Sequence, residues 1–437
     1  MSNPVPYGWS KSHLGDCVGV QGGNAFRSEA FTESGIPVIR ISNVKKDGSV
    51  DLTNAIYADE DETLERFKVE SGDILIAMSG ATTGKVGRYR SARFAYLNQR
   101  VGKFFVKNGS DISMDFIHHV TSKDDFVQAI LIDAAGGAQP NISNKQIESI
   151  TVLQPSLPEQ QKIAAILTSV DNVIESTQAQ INKLQDLKTA MMQELLTRGV
   201  CDENGKRHSE FKDSPVGQIP VGWDVAKFND ITVKIQDGTH FSPQSKDGPC
   251  LYLTSKNIQM GKLKLNNIAY ISQEEHDAIY KRCDVQYGDV LLTKDGANTG
   301  NCAMNTLHQP FSLLSSVAFL RCDTTMCLNE YLYQFISSPK FQKVVSDSMT
   351  GNAITRLTLT LIKNMVIALP KIEEQTEIVK ALTSVDNKME SVRVKLGALH
   401  NTKKALMQDL LTGKVRVAAP THPCDQGSRA SGTSTTD

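Results

Sequence analysis

The sequence predicts an α+β protein: two α/β domains with twisted mixed sheets, separated by two long antiparallel coiled-coil helices in a pseudo-twofold arrangement. Three observations predict it: an internal repeat, a heptad seam in each copy of that repeat, and short strand signals bounded by Gly, Asp and Asn. Glu159-Gln160, with Thr168-Ser169-Val170-Asp171-Asn172, returns as Glu374-Gln375 with Thr383-Ser384-Val385-Asp386-Asn387, an offset of 215 residues. The same offset carries Met192-Gln193 and Leu195-Leu196-Thr197 onto Met407-Gln408 and Leu410-Leu411-Thr412. Ahead of these stretches the similarity is weaker. Pro6-x-Gly8-Trp9 matches Pro220-x-Gly222-Trp223, which hold the only 2 tryptophans, and Gly80-Ala81-x-Thr83-Gly84 matches Gly296-Ala297-x-Thr299-Gly300. The plan is A–B–A′–B′, with B segments closely alike and A segments sharing only framework positions.

Each element follows in order. The first A segment, residues 1–155, offers strands at Pro37–Ser42, Asp73–Met78 and Arg100–Val106, then a helical stretch Met114–Ile132 and a short element Ile142–Ile150. The first B segment, 156–199, opens on Ser156-x-x-Glu159, the pattern of a capping box, with Pro158 in the first turn. Ile163, Leu167, Val170, Ile174, Thr177, Ile181, Leu184, Lys188, Met191 and Leu195 then step by fours and threes, and only Thr177 and Lys188 are not apolar. Residues 200–214 read as a polar link. The second A segment, 215–368, repeats the strands at Cys250–Leu253, Asp289–Leu292 and Val317–Leu320, with a helical stretch Leu328–Ser346 and a short element Leu357–Met365. In the second B segment, 369–417, the seam from Ile378 to Leu410 is broken only by Lys403, the equivalent of Lys188. Two matched seams in one chain are most simply each other's partner, a stiff spacer of ~60 Å at ~1.5 Å per residue. Residues 418–437, rich in Ser, Thr and Gly, are expected to be disordered.

Composition bounds the function. The 437 residues carry 47 Lys+Arg against 48 Asp+Glu, a net charge of −1, so any nucleic-acid surface must be local rather than a uniformly basic coat. No apolar run is long enough to cross a bilayer, and no signal peptide is evident. The 8 cysteines are scattered without zinc-ligand spacing and read as reduced cytosolic thiols. Between Asp73 and Asp111 there is no acid, while Lys85, Arg88, Arg90, Arg93, Arg100, Lys103 and Lys107 are interleaved with Tyr89, Phe94 and Tyr96. That pattern suits a phosphate-contacting face. The second A segment offers less: Lys294 and Arg321, with Lys246, Lys256, Lys262 and Lys264 earlier.

Leu157-Pro158-Glu159-Gln160-Gln161-Lys162-Ile163-Ala164, its second copy around Glu374-Gln375, the Ser-Val-Asp-Asn steps and Leu195-Leu196-Thr197-Arg198-Gly199-Val200 resemble the specificity subunits of type I restriction-modification systems. So does the run Gly136-Gly137-Ala138-Gln139-Pro140-Asn141-Ile142-Ser143, and the resemblance covers residues 1 to about 417. The resemblance implies two target-recognition domains, each reading half of a bipartite, asymmetric target on double-stranded DNA. It implies helices that dock two adenine-methylating modification subunits together with restriction subunits, in the cytoplasm and with no membrane. Half-sites on one face of B-DNA lie about one turn, ~34 Å, apart, a distance a rigid spacer can set. Arg or Lys reads guanine and Asn or Gln reads adenine. The candidate DNA contacts are therefore Lys85, Arg88, Arg90, Arg100, Gln139 and Asn141 in the first domain, and Lys294, Asn298, Thr355 and Arg356 in the second.

No catalytic residue, cofactor or metal site is expected. Gly80-Ala81-Thr82-Thr83-Gly84-Lys85-Val86 has three residues between its glycines and Val86 after the lysine, so it is not a P-loop. The adenine-methyltransferase Pro-Pro signature is absent, and the nuclease-like triplets Asp186–Lys188, Asp386–Lys388 and Glu210–Lys212 fall in helices or the link. His118 and His119, adjacent on a helix, are not expected to face one ligand together. A coiled-coil scaffold carrying two ligand-binding β-rich domains is the alternative reading, and a self-sufficient enzyme of DNA metabolism a third.

Overall fold

The computed structural model describes residues 5–133, 141–200, 205–245, 247–349 and 356–417. The chain divides into two compact units that interleave in sequence: Met1–Thr177 with Lys395–Asp437, and Gln178–Val394. Each therefore contains one A segment, the near part of one long helix and the far part of the other. The expected tail, 418–437, lies outside the described residues.

In the first unit β-branched and aromatic runs build two sheets. Val18–Gly22, Val101–Val106, Ile74–Ala77 and Val86–Arg88 lie side by side in that order, all antiparallel. The second sheet orders Ile56–Ala58, Ile36–Ile39, Ala95–Leu97 and Lys68–Val69, and it is mixed because Ile36–Ile39 and Ala95–Leu97 run parallel. Ser10–His13 pairs with Thr151–Gln154, so the segment closes on itself just before the long helix. The second unit repeats this. Thr232–Asp237, Val317–Cys322, Val290–Thr293 and Cys302–Met304 form the antiparallel sheet. Cys250–Leu253 runs antiparallel to Ala269–Ile271 and parallel to Phe311–Leu313, and Asp224–Lys227 pairs with Val366–Leu369.

The helical stretches read as continuous are each broken once. Met114–Thr121 ends at Ser122, whose amide bonds back into the last turn, and Asp124–Asp133 follows. Asn329–Ser337 ends at the extended Ser338, and Pro339, whose missing N–H suits a first helical position, opens Pro339–Met349.

The central helix spans Leu157–Arg198 and the C-terminal helix Ile372–Leu410. Every seam position on both is buried or half-buried, whereas the flanking positions are mostly exposed. Within each unit the two helices are antiparallel, residue numbers rising along one as they fall along the other. In the first unit Glu159 reaches Arg416 and Asp171 reaches Lys403; in the second Lys188 reaches Asp386 and Val200 reaches Glu374. The two lysines that interrupt the apolar seam are thereby explained. Lys188 Nζ sits 2.7 Å from Asp386, and Lys403 Nζ 2.6 Å from Asp171, each meeting the aspartate of the other helix's Ser-Val-Asp-Asn step. Asp386 and Lys188, members of two nuclease-like triplets, are thus an ion pair of the seam.

The helix ends also complete the domain cores. Ile163, Ala164 and Leu167 join Met407, Leu410 and Leu411 around Trp9, Phe104 and Phe116; Met192 and Leu196 join Ile378 and Leu382 around Trp223, Phe228 and Tyr331. Instead of closing a capping box on Ser156, Glu159 accepts from Trp9 Nε1 at 3.1 Å and from Arg416 Nε and Nη2 at 2.8 Å each. Its repeat, Glu374, accepts from Trp223 Nε1 at 2.8 Å, His208 Nε2 at 2.9 Å and the amide of Val200 at 3.0 Å. Residues 208–212, read as part of the link, are built into this unit through that histidine and through pairing of Phe211–Lys212 with Ile219–Pro220. Gly199, at φ 73°, ends the central helix here; a Cβ on it would lie 2.2 Å from Glu374 Oε1.

The Arg416 guanidinium, with the Trp9 indole, holds the Glu159 carboxyl below its usual range. A carboxyl whose folded pKa is depressed contributes stability that is full above its unfolded value, near 4.5, and is lost as pH falls through the folded value. Glu159→Gln is expected to remove that part of the acid limb, so its melting temperature, lower than wild type at pH 7, converges on wild type as pH falls through the depressed folded value.

Candidate nucleic-acid interface

Three segments meet at one end of each A segment. In the first unit the strand Ile74–Ala77 runs into Met78 and the loop Gly80–Gly84, whose end glycines take φ 74° and 82°. Met78 N donates to Arg100 O and Met78 O accepts from Ile142 N, both at 2.9 Å, while Ser79 bridges Asn141. In the second unit Lys294 N donates to Ser316 O at 2.9 Å, Lys294 O accepts from Leu357 N at 2.8 Å, and Asp295 bridges Arg356. The loop Gly296–Gly300 repeats the left-handed glycines at φ 87° and 93°. The backbone junction is the same in both units. Its side chains are not: Ser79, Arg100 and Asn141 in one, Asp295, Ser316 and Arg356 in the other.

The structure sorts the first-domain candidates. Arg100 and Asn141 are brought together, Nη1 donating to Oδ1 at 3.2 Å, and both are exposed. Lys85 lies just past the glycine loop, half-buried, and no ion pair to its ammonium is found among the described residues. Arg88 is turned away: its guanidinium lies 2.6 Å from Asp115 on Met114–Thr121. Arg90 pairs with Glu175 of the central helix. Gln139 lies outside the described residues. The acid-free stretch is therefore basic in sequence but largely neutralised in the fold. Asp73 meets Lys103 at 3.3 Å, Glu148 meets Lys107 at 3.3 Å, and the Tyr89 and Tyr96 rings are fully buried. Strand pairing and helix return bring these acids in from outside the stretch, or from its very edge, which a local count cannot see.

In the second domain, Arg356 is exposed and holds Asp295 through Nε at 3.2 Å. Asn298 Nδ2 donates to Ser255 O at 3.2 Å, tying the glycine loop to the turn Ser255–Asn257. Lys294 is 1% exposed, its ammonium 3.4 Å from both Asp237 and Asp295. That position corrects the expectation of a free basic contact: Lys294 follows an all-buried strand, and its charge is spent inside the fold. Arg321 is likewise clamped, on Asp289 at 2.8–2.9 Å. Thr355 lies outside the described residues. Sequence reading passed over Phe241, 82% exposed beside His240. Its repeat equivalent Phe26 packs instead against Phe31 and Tyr96, so nothing in the residue type signals the exposure. Lys256 is exposed on the turn Ser255–Asn257 that receives Asn298.

No helix among the described residues is long and apolar enough to cross a membrane. The model of the type I restriction modification DNA specificity domain matches twice, over residues 6–186 and 220–399. The specificity subunit of the type I restriction enzyme MjaVIII of Methanocaldococcus jannaschii is 28% identical over 362 residues, covering 81% of this chain and 82% of its own. The EcoBI specificity subunit of Escherichia coli is 26% identical, covering 94% and 90%. Among solved structures, the type I restriction-modification S subunit from M. genitalium superimposes with a TM-score of 0.58 at 14% identity, covering 94% of this chain and 97% of its own. Two matches to one domain, one in each repeat, account for the duplicated junction, and the chain belongs to the family of type I restriction-modification DNA specificity subunits.

Proposed function

We propose that this chain gives sequence specificity to a type I restriction-modification complex by reading a bipartite, asymmetric target on double-stranded DNA, one half with each unit. The chain is the specificity component and not the catalyst, in keeping with the relatives it matches. The observation that carries the reading is the duplicated junction with dissimilar side chains. One backbone frame offers Arg100 and Asn141 in the first unit and Asp295 and Arg356 in the second. Arginine bidentate to guanine and asparagine bidentate to adenine suit such positions. We place Arg100, Asn141, Lys85 and Gln139 at the first half-site, and Arg356, Thr355, Asn298 and Lys256 at the second. Lys294 braces the second junction through Asp295, while Arg88 and Arg90 are held by Asp115 and Glu175. The similar outward faces of the two long helices offer two similar docking surfaces, for two modification subunits and through them the restriction subunits, in the cytoplasm.

Base-resolution adenine-methylation mapping tests this, in a host that carries the modification subunit, with the gene intact and deleted. Loss of one motif made of two parts around a gap of constant length supports the reading, and an unchanged methylome overturns it. Arg100→Ala is expected to relax or weaken one half of that motif only, by about 1–3 kcal/mol at a guanine. It also reduces the salt dependence of DNA binding by the complex if the same side chain touches phosphate. Equal loss at both halves would remove Arg100 from the interface.

A further inference from the structure

Among the described residues one grouping of three side chains carries metal-ligating atoms within 4.8 Å of one another: His118, His119 and Asp171. All three belong to the first unit. Adjacent helical residues point about 100° apart, which is why the two histidines were not expected to share a ligand. The helix Met114–Thr121 is nonetheless buried on Phe116, Ile117, His118, His119 and Thr121, so both rings fall inside the covered arc, with centroids 5.2 Å apart. His118 is 8% exposed and His119 1%, and the Nδ1 of each is buried without a hydrogen-bond partner. A buried, unpaired ring nitrogen is costly, and two beside one carboxylate call for a common occupant.

We propose that His118, His119 and Asp171 form a binding site for one divalent late transition-metal ion of the zinc class, tying the helix Met114–Thr121 to the central helix. His119 Nδ1 stands 3.9 Å from Asp171 Oδ2, and donors of a tetrahedral ion with bonds of about 2.0–2.1 Å stand roughly 3.3 Å apart, so a small inward shift completes the arrangement. The other nitrogen of His119, Nε2, lies 3.1 Å from Thr168 Oγ1, the outer hydrogen bond that orients a metal-bound imidazole. Burial, with the neighbouring positive charges, pushes His118 down to about 2 and His119 down to about 4, so both rings are neutral donors at pH 7. Lys403, on the second oxygen of Asp171 at 2.6 Å, and Arg88 make the surroundings positive. That field disfavours magnesium and calcium, which bind through oxygen charge. It leaves ions that bond strongly to imidazole: zinc, cobalt, nickel and copper.

The second unit supplies the control. At the repeat offset Tyr333 and Gln334 stand where the first unit has His118 and His119, and Gln334 Nε2 donates to Asp386 Oδ2 at 3.3 Å. Tyr333 and Gln334 do not supply the imidazole nitrogens that ions of the zinc class favour, so the proposed site is confined to one unit.

The test is a Co2+ titration of the full chain, stripped with chelator, followed by optical absorption and by thermal melting, with Zn2+ as competitor. Wild type is expected to take up one equivalent with the ligand-field bands of a four-coordinate ion, to lose them on adding Zn2+, and to melt higher with either ion. The double substitution His118→Tyr with His119→Gln is expected to lose that equivalent and the metal-dependent rise in melting temperature while keeping its circular dichroism. Should that double variant not fold, His119→Gln alone is titrated in the same way with the same expectation. Absence of stoichiometric uptake by wild type, or uptake unchanged in the folded variant, overturns the site.

Discussion

Replacing Asp386 with Ala is expected to lower the stability of the second unit by about 3 kcal/mol, more than any surface charge change in the chain. Lys188 is 9% exposed in the seam and has Asp386 as its ion-pair partner at 2.7 Å. Removing one member of a buried pair leaves an uncompensated charge, and this costs about 3–5 kcal/mol; partial exposure of Asp386 places the effect at the lower end. The same carboxylate also accepts from Gln334, which would lose its partner. Replacing both members with apolar residues, Lys188→Met with Asp386→Leu, is expected to restore stability to within about 1 kcal/mol of wild type, because the desolvation cost disappears with the charges. Denaturant melts of wild type, Asp386→Ala and the double variant measure this. A single variant within 1 kcal/mol of wild type, or a double variant no better than the single, would show that the pair does not hold the seam.

Glu374→Ala is expected to cost about as much, roughly 3 kcal/mol. Three donors converge on that carboxylate, the Trp223 indole, the His208 ring and the Val200 amide, at 2.8–3.0 Å. Each buried donor left unpaired costs about 1–3 kcal/mol, and the three share one desolvated place rather than adding in full. Trp223→Phe, which removes one donor and keeps most of the apolar volume, is expected to cost about 1 kcal/mol. With Trp9→Phe as background, Trp223 is the sole indole, and its emission should shift to the red in Glu374→Ala through water entry. Unmoved emission together with an unmoved melt would mean that the clasp is dispensable.

The seam was legible because apolar residues at steps of four and three need only local spacing, and it survives even in its interruptions. Lys188 and Lys403 were visible as breaks; their partners were not, since Asp386 and Asp171 lie about two hundred residues away. Trp9 and Trp223 were visible as markers of a repeat, but their role as donors to the helix glutamates depends on where the far chain returns. The six strands read from the sequence lie within one to three residues of their bounds in the structure. Shorter and edge strands such as Ser10–His13 and Ala95–Leu97 were not read, and the helical stretches after the last strand were read as single pieces.

For the interface the limit was charge. Arg100 and Asn141 met because both border the same strand junction, a framework feature that the repeat exposes. Lys294 occupies the frame position of Met78 and points inward onto Asp237, and residue type alone does not show which basic side chains turn inward. Adjacent histidines were set aside by a rule about helix faces that assumes one face is exposed, and Met114–Thr121 is covered on more than one.

The interleaving of the two units has a consequence in time. The first unit needs Met407, Leu410 and Leu411 to close around Trp9 and Phe116, yet the ribosome must first synthesise all of Gln178–Val394. At about 5–20 residues per second that is a delay of roughly 10–40 s. During it the core formed by Trp9, Phe116, Ile163, Ala164 and Leu167 lacks Met407, Leu410 and Leu411 and stays open on that side. The second unit, contiguous from Gln178 to Val394, has no such wait and can finish as it emerges. The chain's N-terminal half is thus the last to mature, and a nascent chain stalled before residue 395 carries its earliest-made domain unsealed, the state in which a protease or a chaperone would find it.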